Sequence, residues 1–354
     1  MSEIVRLGVL DQSPVAEGST GAQALANTLD LARLTDALGF HRYWVAEHHG
    51  GPSLAGASPE ALIGPIAQVT SHLRVGSGGV MLPHYSPLKV AESFSILAGL
   101  TPGRIDLGIG RAAGTDPMTT HALQRDRRQA LPDDFPSQLS ELLAYLDDAF
   151  GDDHPLARLA AALPGRGAGD GDGPEPWLLG SSAQSAIWAG ELGLPYAFAD
   201  FISPHGGANA DLYRERFVPS QRLAHPQVIA AVWTVAADTD EDARRLATSA
   251  RMTMAMLRRG RLIPVPPVET AIAFLRAQGE DVDGPMGGGR RAVVGSANTV
   301  RAGLEQAAAD YGADEVLAVT IVHDHQARRR SYELLADTFD LAAPAAGGAA
   351  LSAA

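Results

Sequence analysis

The sequence predicts an α/β protein in which eight parallel strands close into a (β/α)8 TIM barrel. Short apolar strands alternate with amphipathic helices along most of the chain, eight such strands can be counted, and no change of composition divides the chain into halves. Repeated β-α units predict parallel strands joined by helical crossovers. Eight units without a break favour a closed barrel over an open doubly wound sheet.

The first unit shows the pattern clearly. A strand is predicted at 6–10, and the helix predicted at 20–38 has Leu25, Leu31 and Leu38 on one face at helical spacing. Gly39 follows that helix, and glycine commonly stands just past a helix end. The other predicted strands are 41–46, 74–82, 104–110, 176–180, 196–200, 227–236 and 315–322. The other predicted helices are 58–71, 87–100, 182–192, 211–223, 240–257, 299–311 and 327–339.

Residues 1–341 are predicted to form a single domain. Two segments interrupt the β-α pattern: 151–176 contains GRGAGDGDGPEP, and 258–291 contains PVPP and GPMGGGRR. Both are predicted to be loop insertions on the C-terminal, catalytic face of the barrel, where each is either a lid or a surface loop without a role. The Ala/Gly-rich residues 342–354 are expected to form a disordered tail.

The composition excludes several classes of protein. The 354 residues include 28 basic and 41 acidic side chains, a net charge of −13, which argues against nucleic acid or an anionic membrane as a partner. The chain has no cysteine, which excludes disulfides, thiolate nucleophiles and cysteine-ligated metals. No signal peptide or membrane-spanning run is apparent, so a cytoplasmic enzyme is expected.

One predicted strand end has the features of a phosphate site. The run Gly180-Ser181-Ser182 ends a strand and enters a helix, which directs backbone N–H groups and hydroxyls to one place. Ser185 lies one turn further on, and Arg111, after another strand, could add a bidentate contact. Helix capping is an equally good explanation of the serines.

The run GIGRAAG at 108–114 also follows a strand, but its G-x-G-x-x-x-G spacing is one residue longer than the dinucleotide fingerprint. This spacing disfavours an NAD-dependent Rossmann enzyme.

Two clusters of polar residues follow other strands. The run Glu47-His48-His49 could be metal ligands, an acid/base pair or a buried polar turn. The run at 323–325, His-Asp-His, could add ligands, although a solvated loop is the simpler explanation. A metal site would need both clusters together, because tetrahedral zinc takes three or four ligands. No metal is expected.

Taken together, these segments resemble the bacterial luciferase-like flavin monooxygenases, and the resemblance covers about 85% of the chain. It is carried in order by LGVLDQSP, ALGFHRYWVAEHHG, LRVGSGGVMLPHYSPLKVAE, PGRIDLGIGRAAGTDP, PWLLGSSAQSA and VVGSANTVRAGLE. The resemblance implies a (β/α)8 barrel that receives reduced FMN from a separate flavin reductase. The flavin would react with O₂ through a C4a-hydroperoxide and oxygenate a small organic substrate. A homodimer is implied by the resemblance alone.

The resemblance also assigns roles to residues. A non-prolyl cis peptide behind the flavin ring corresponds to Gly78-Gly79, and the first histidine of the EHH run, His48, corresponds to the catalytic one. The phosphate would be held by Arg111 and the serines, and the N–H of Ala113 would meet the ring edge. The expected cofactor-binding residues are Ser77, Gly78, Gly79, Arg111, Ala113, Gly180, Ser181, Ser182 and Ser185. The expected substrate-pocket residues are Gln12, Glu47, His84, Tyr85 and Phe201.

Two other functions remain open for the same fold. The first is a deazaflavin-dependent dehydrogenase that uses no O₂, and the second is a flavin-binding protein without turnover. For an oxygenase of this kind, the expectation for the small organic substrate is a secondary metabolite such as an aromatic polyketide.

Overall fold

Parallel strands form a single sheet that closes on itself. The computed structural model describes residues 6–111, 116–124, 127–128, 134–165, 172–203, 206–284 and 291–342, and these ranges contain nine strands. The strands are β1 (Arg6–Asp11), β2 (Arg42–Val45), β3 (Arg74–Met81), β4 (Ile105–Gly110), β5 (Glu175–Gly180), β6 (Tyr196–Ala199), β7 (Val228–Ala236), β8 (Ala292–Gly295) and β9 (Glu315–Val319).

The eight predicted strands form the barrel. Strands β1 to β7 pair in sequence order, and β9 then closes the barrel by pairing with both β7 and β1. The predicted TIM barrel is therefore confirmed. Strand β8 is additional, because it pairs with β7 outside the closed ring from Trp233 to Ala236.

Helices surround the barrel. They are α1 (Gly21–Leu38), α2 (Pro59–Gln68), α3 (Pro87–Leu100), α4 (Pro117–Leu123), α5 (Phe135–Leu146), α6 (Ala157–Ala160), α7 (Ala183–Glu191), α8 (Gly207–Glu215), α9 (Asp240–Leu257), α10 (Val268–Ala277), α11 (Ala297–Tyr311) and α12 (His325–Thr338). Among the described residues, no helix is long and apolar enough to cross a membrane.

The alternation of side chains along each strand divides the core into two layers. On β7, Val228, Ala230 and Val232 face the helices, whereas Ile229, Ala231 and Trp233 belong to a second cluster inside the barrel. The inner cluster also includes Trp44 and Trp177, whose rings meet edge to face with centroids 5.5 Å apart. Among the described residues, large inner side chains thus fill the middle of the barrel.

The structure corrects the predicted loop insertions. Residues 258–291 contain helix α10, whose apolar residues Ala271, Ile272 and Leu275 are buried. Residues 151–176 contain the short helix α6 and the start of β5. Helices α4 and α5 and strand β8 were also not predicted. Most of the predicted tail, 343–354, lies outside the described residues.

Candidate active site

A cavity of about 410 Å³ lies at the carboxyl ends of the barrel strands, and each of the eight barrel strands contributes to its wall. We call it the first cavity. Its floor is apolar, with Leu10, Trp44, Ala231 and Leu317 among its lining residues. This end of the barrel is where enzymes of this architecture have their active sites.

One end of the first cavity is polar. Arg111, Ser181, Ser182 and Ser185, the residues proposed from the sequence for a phosphate site, all line it. Ser182 caps α7, because its Oγ accepts a hydrogen bond from the N–H of Ser185 at 3.3 Å. The cation, the hydroxyls and the N-terminus of α7 therefore face the same space, an arrangement suited to an anion.

Aromatic rings support this polar end. The Arg111 guanidinium carbon lies 5.5 Å from the centroid of the Trp188 ring, a cation–π contact. The ring of Phe135 on α5 packs in turn against Trp188, with the two ring centroids 5.4 Å apart. Sequence reasoning missed both aromatic residues, although Trp188 lies on α7 only one turn beyond Ser185.

Glycines form the opposite part of the wall. The peptide bond between Gly78 and Gly79 is cis, as predicted, and both residues line the first cavity. A Cβ on Gly78 would collide with Leu10 and come within 3.2 Å of Trp44, so glycine keeps this wall flat. Gly180 also lines the cavity, and a Cβ there would collide with Ser185.

Ser77, which the sequence suggested as a cofactor-binding residue, does not line the first cavity. Its side chain is fully buried, and its Oγ donates a 2.8 Å hydrogen bond to the carbonyl of Gly108. The hydroxyl of Ser77 therefore joins β3 to β4 and does not face the first cavity. Ala113, also predicted to hold the cofactor, lies outside the described residues.

A second cavity of about 550 Å³ adjoins the first. Phe201 and Ile202, which follow β6, line both cavities and form the wall between them. Gln12 and Phe201, two of the predicted substrate-pocket residues, line the second cavity together with His48. The Trp233 Nε1 donates to the carbonyl of Phe201 at 3.1 Å, which fixes the dividing wall.

His48, which lines the second cavity, has a strongly shifted pKa. Burial, together with the neighbouring His49, lowers the pKa of His48 to about 4. Its Nδ1 is buried and has no hydrogen-bond partner among the described residues. At neutral pH the imidazole is therefore uncharged, and its ring can exchange a proton or a hydrogen bond with a bound molecule.

Glu47 does not line either cavity, and its carboxylate contacts neighbouring residues instead. Its carboxylate is fully buried, lies 2.8 Å from Nε2 of His49 and accepts the N–H of Met81 at 2.9 Å. Burial raises the pKa of Glu47 despite these contacts. Burial together with this carboxylate raises the pKa of Tyr85.

The structure does not place Glu47, His84 and Tyr85, three of the predicted substrate-pocket residues, in the walls of these two cavities. The ring of His84 packs edge to face on His49 at 5.9 Å. They form a polar layer behind His49.

The two histidine clusters do not come together. Nε2 of His323 lies 3.2 Å from the carbonyl of Glu17, and Nε2 of His325 lies 2.8 Å from the carboxylate of Asp30 on α1. In the part of the chain that the structure describes, no group of three or more His, Asp or Glu residues could hold a metal.

Residues 253–265 form a wall that sequence reasoning missed. Met254, Leu257, Leu262 and Val265 line the second cavity. The N–H of Val265 donates to the carbonyl of Val15 at 2.8 Å, which ties this segment to the loop after β1. Part of the segment predicted as a loop insertion is thus a fixed wall of the candidate site.

Comparison with known proteins identifies the family. The model of the luciferase-like monooxygenase family matches residues 5–315. A luciferase-like monooxygenase of Escherichia coli (strain K12) is 40% identical, covering 94% of this chain and 96% of that protein. An N-acetyl-S-alkylcysteine monooxygenase of Bacillus subtilis (strain 168) is 36% identical, covering 94% of this chain and 98% of that protein.

Solved structures share the architecture. The crystal structure of apo-MsnO8 has a TM-score of 0.84 and 41% sequence identity, covering 95% of this chain and 99% of that one. At 19% identity, the oxygenating constituent of a 3,6-diketocamphane monooxygenase of Pseudomonas putida in complex with FMN shows the same fold, with a TM-score of 0.70, covering 94% of this chain and 97% of that one. An F420-dependent tetrahydromethanopterin reductase of Methanopyrus kandleri, 14% identical, shows the fold alone with a TM-score of 0.63, covering 95% of this chain and 98% of that one. This chain therefore belongs to the luciferase-like monooxygenase family and is an enzyme of that family.

Proposed function

We propose that this enzyme binds reduced FMN in the first cavity and uses O₂ to oxygenate a small organic substrate held in the second. The observation that carries the proposal is the first cavity itself, which joins a cationic, hydroxyl-rich end at Arg111 to a flat apolar wall at Gly78 and Gly79. A phosphorylated flavin has the same two parts. The family membership and the FMN-bound protein of the same fold support this assignment.

The residues of the first cavity fit FMN by their chemistry. Arg111, Ser182 and Ser185 would hold the phosphate, because a guanidinium and hydroxyls at a helix N-terminus offer charge-assisted hydrogen bonds. Gly78 and Gly79, without side chains, would leave the wall open to a planar ring. Reduced flavin supplies the electrons that activate O₂, and the chain supplies binding, orientation and exclusion of water.

His48 would handle protons. Its neutral imidazole lies in the second cavity, which shares a wall with the first, and its Nδ1 is available for a hydrogen bond. It would accept a proton from the substrate or hold one near the reacting atoms. The apolar floor and Phe201 would keep water away from the reaction.

A flavin reductase as the source of reduced FMN and a homodimeric assembly complete the proposal. Ile96 and Leu100 on α3 are 51% and 69% exposed, and a second copy of the chain would cover them. Sedimentation of the purified protein measures the oligomeric state, and a monomer at micromolar concentration would remove the homodimer.

One experiment tests the proposed function against its alternatives. The protein is titrated anaerobically with reduced FMN and separately with reduced deazaflavin, and O₂ is then admitted while flavin absorbance and O₂ consumption are followed. We expect binding of reduced FMN and an altered rate of its reoxidation by O₂. Binding of deazaflavin alone, without an O₂ reaction, would support a dehydrogenase. Binding of FMN with reoxidation at the rate of free flavin would support a protein without turnover.

A further inference from the structure

The second cavity differs from the first in charge. Arg111 is among the lining residues of the first cavity, whereas the described lining of the second contains no arginine or lysine. Its only charged side chain among the described residues, apart from the histidines, is Asp116. A carboxylate bound there would therefore lose water without gaining a cationic partner, which is costly in an apolar site.

The charge of Asp116 adds to this effect. Its carboxylate caps α4 by accepting the N–H of Met118 at 2.9 Å and the hydroxyl of Thr119 at 2.6 Å. Hydrogen bonds from Thr119 lower the pKa of Asp116, so the group is ionised at neutral pH. The carboxylate also lies next to Gly50, beside the histidines of the EHH run. An anionic ligand would meet a like charge here, and solvent weakens the repulsion because Asp116 is exposed.

The imidazoles do not supply the missing positive charge. The low pKa of His48 leaves its ring neutral at pH 7. Nε2 of His49 lies 2.8 Å from the buried carboxylate of Glu47, so this ring is already engaged by a carboxylate of the chain. Besides the hydroxyls of Ser53 and Thr253, the polar groups of this lining that can meet a ligand are the amide of Gln12, which is 7% exposed, and the ring of His48. Both suit a hydroxyl, a carbonyl or an amide.

Although the exposed Arg258, Arg259 and Arg261 lie in the 253–265 wall without lining the second cavity, several large apolar side chains stand at its mouth. Ile202, Leu257 and Leu262 line it and are 51%, 42% and 44% exposed. Large apolar side chains that remain exposed at the rim of a cavity are typical of a surface that a ligand covers. Trp233 and Met254 extend the apolar lining inwards.

We propose that the second cavity selects an uncharged, largely apolar substrate with one hydrogen-bonding end at Gln12 and His48, and that it rejects carboxylates. This inference rests on the proposed function only in naming the ligand of the second cavity as the substrate. The charge selectivity itself is a property of the protein alone.

The test compares two probes of the same length, octanamide and octanoate, by titration calorimetry at pH 7.5 with and without saturating FMN. We expect octanamide to bind at least tenfold more tightly than octanoate. Equal affinity, tighter binding of octanoate, or no binding of octanamide would overturn the inference.

Variants locate the selectivity. Leu262→Arg brings a cation to the mouth and should raise the affinity for octanoate at least threefold while lowering that for octanamide. Asp116→Asn keeps a capping side chain, removes the charge and should raise octanoate affinity about twofold. Leu192→Arg, at an exposed leucine outside both cavities, is the matched control and should change neither. An equal response of Leu262→Arg and Leu192→Arg would place the probes elsewhere and overturn the inference.

Flavin absorbance in the same samples separates this inference from the proposed function. Selective binding of octanamide by a protein that binds no flavin would refute the proposed function and leave the inference standing. Flavin binding without selectivity between octanamide and octanoate would overturn the inference and leave the proposed function standing.

Discussion

The two ends of the barrel use polar groups in opposite ways. At the amino end, Arg42 is 2% exposed and bonds to both Asp106, at 2.7 Å, and Glu315, at 3.0 Å. Arg74 then joins Asp106 to Glu175, so every charge of this network has a partner of opposite sign. At the carboxyl end, Arg111, His48 and the serines face cavities.

The difference separates stability from function. A closed network of paired charges leaves no site for a ligand, and removing one member leaves another buried and uncompensated. Groups that face a cavity contribute less to folding and remain available to bind a small molecule. Substitutions at the amino end should therefore change stability, and substitutions at the carboxyl end should change binding and turnover.

The largest effect is expected for Arg42→Ala. Glu315 would be left fully buried without its main partner, so the free energy of unfolding should fall by about 3–5 kcal/mol. Urea denaturation followed by circular dichroism measures the change. Arg216→Ala, which removes an exposed pair with Glu191, is the control and should cost less than about 1 kcal/mol. A similar small loss for Arg42→Ala would mean that the amino end is not where stability resides.

Arg111→Ala should act on binding. The loss of a charge-assisted contact should weaken FMN by about 1.5–3 kcal/mol without lowering the free energy of unfolding. Fluorescence quenching of FMN measures the affinity. Lys89→Ala, at an exposed lysine on α3, should leave the affinity unchanged. If both variants bind FMN equally well, the phosphate has been placed wrongly.

Stability should also depend on pH through His48. The pKa of His48 is about 4 in the folded chain against 6.5 for an ordinary histidine, so between these values the unfolded state binds more protons. The free energy of unfolding should therefore fall as the pH falls from 6.5 to 4, with a contribution from His48 on the order of 2 kcal/mol. When the free energy of unfolding is measured by urea titration across this pH range, it should depend less steeply on pH in His48→Gln than in the wild-type chain. An unchanged dependence of the free energy of unfolding on pH would show that His48 is not buried in its neutral form.

His48→Ala should separate binding from chemistry. The variant should bind FMN normally, because His48 does not line the first cavity, but the share of O₂ that yields oxygenated product over hydrogen peroxide should fall about tenfold or more. Peroxide and product are quantified once a substrate is known. His323→Ala is the matched control. Unchanged coupling in His48→Ala would remove this residue from the mechanism.

The smallest effect is expected for Trp188→Leu. Trp188 positions the guanidinium of Arg111, so its loss should weaken FMN by about 0.5–1 kcal/mol. In an Arg111→Ala background the same substitution should have no further effect on FMN affinity, because its partner is gone. An additive loss would show that Trp188 acts independently of Arg111.

The strands of the barrel were predictable because each is a local feature. Runs such as VIAAVWTVA of β7 are apolar on both faces and can be recognised without knowing their neighbours. Helix α10 was missed because the PVPP and GPMGGGRR runs that flank it predict loops, although Ala271, Ile272 and Leu275 have helical spacing. The sequence also located Arg111 and the serines, since a strand end followed by a helix fixes their position.

The second cavity could not be predicted, because its walls come from distant parts of the chain. Gln12, Phe201 and Leu262 meet there only once the barrel has closed and Val265 has bonded to Val15. The direction in which each side chain points could not be predicted either. Ser77 and Gly78 are neighbours on β3, yet the first bonds to β4 and the second faces the cavity, and a local pattern does not settle which does which.

The most direct test of the central claim is a thermodynamic cycle with FMN and riboflavin, which lacks the phosphate, on the wild-type chain and on Arg111→Ala. If the polar end of the first cavity holds the phosphate, the substitution should weaken FMN by about 1.5–3 kcal/mol and leave riboflavin unchanged. An equal loss for both flavins would contradict the account, because Arg111 would then support the cavity without contacting the phosphate.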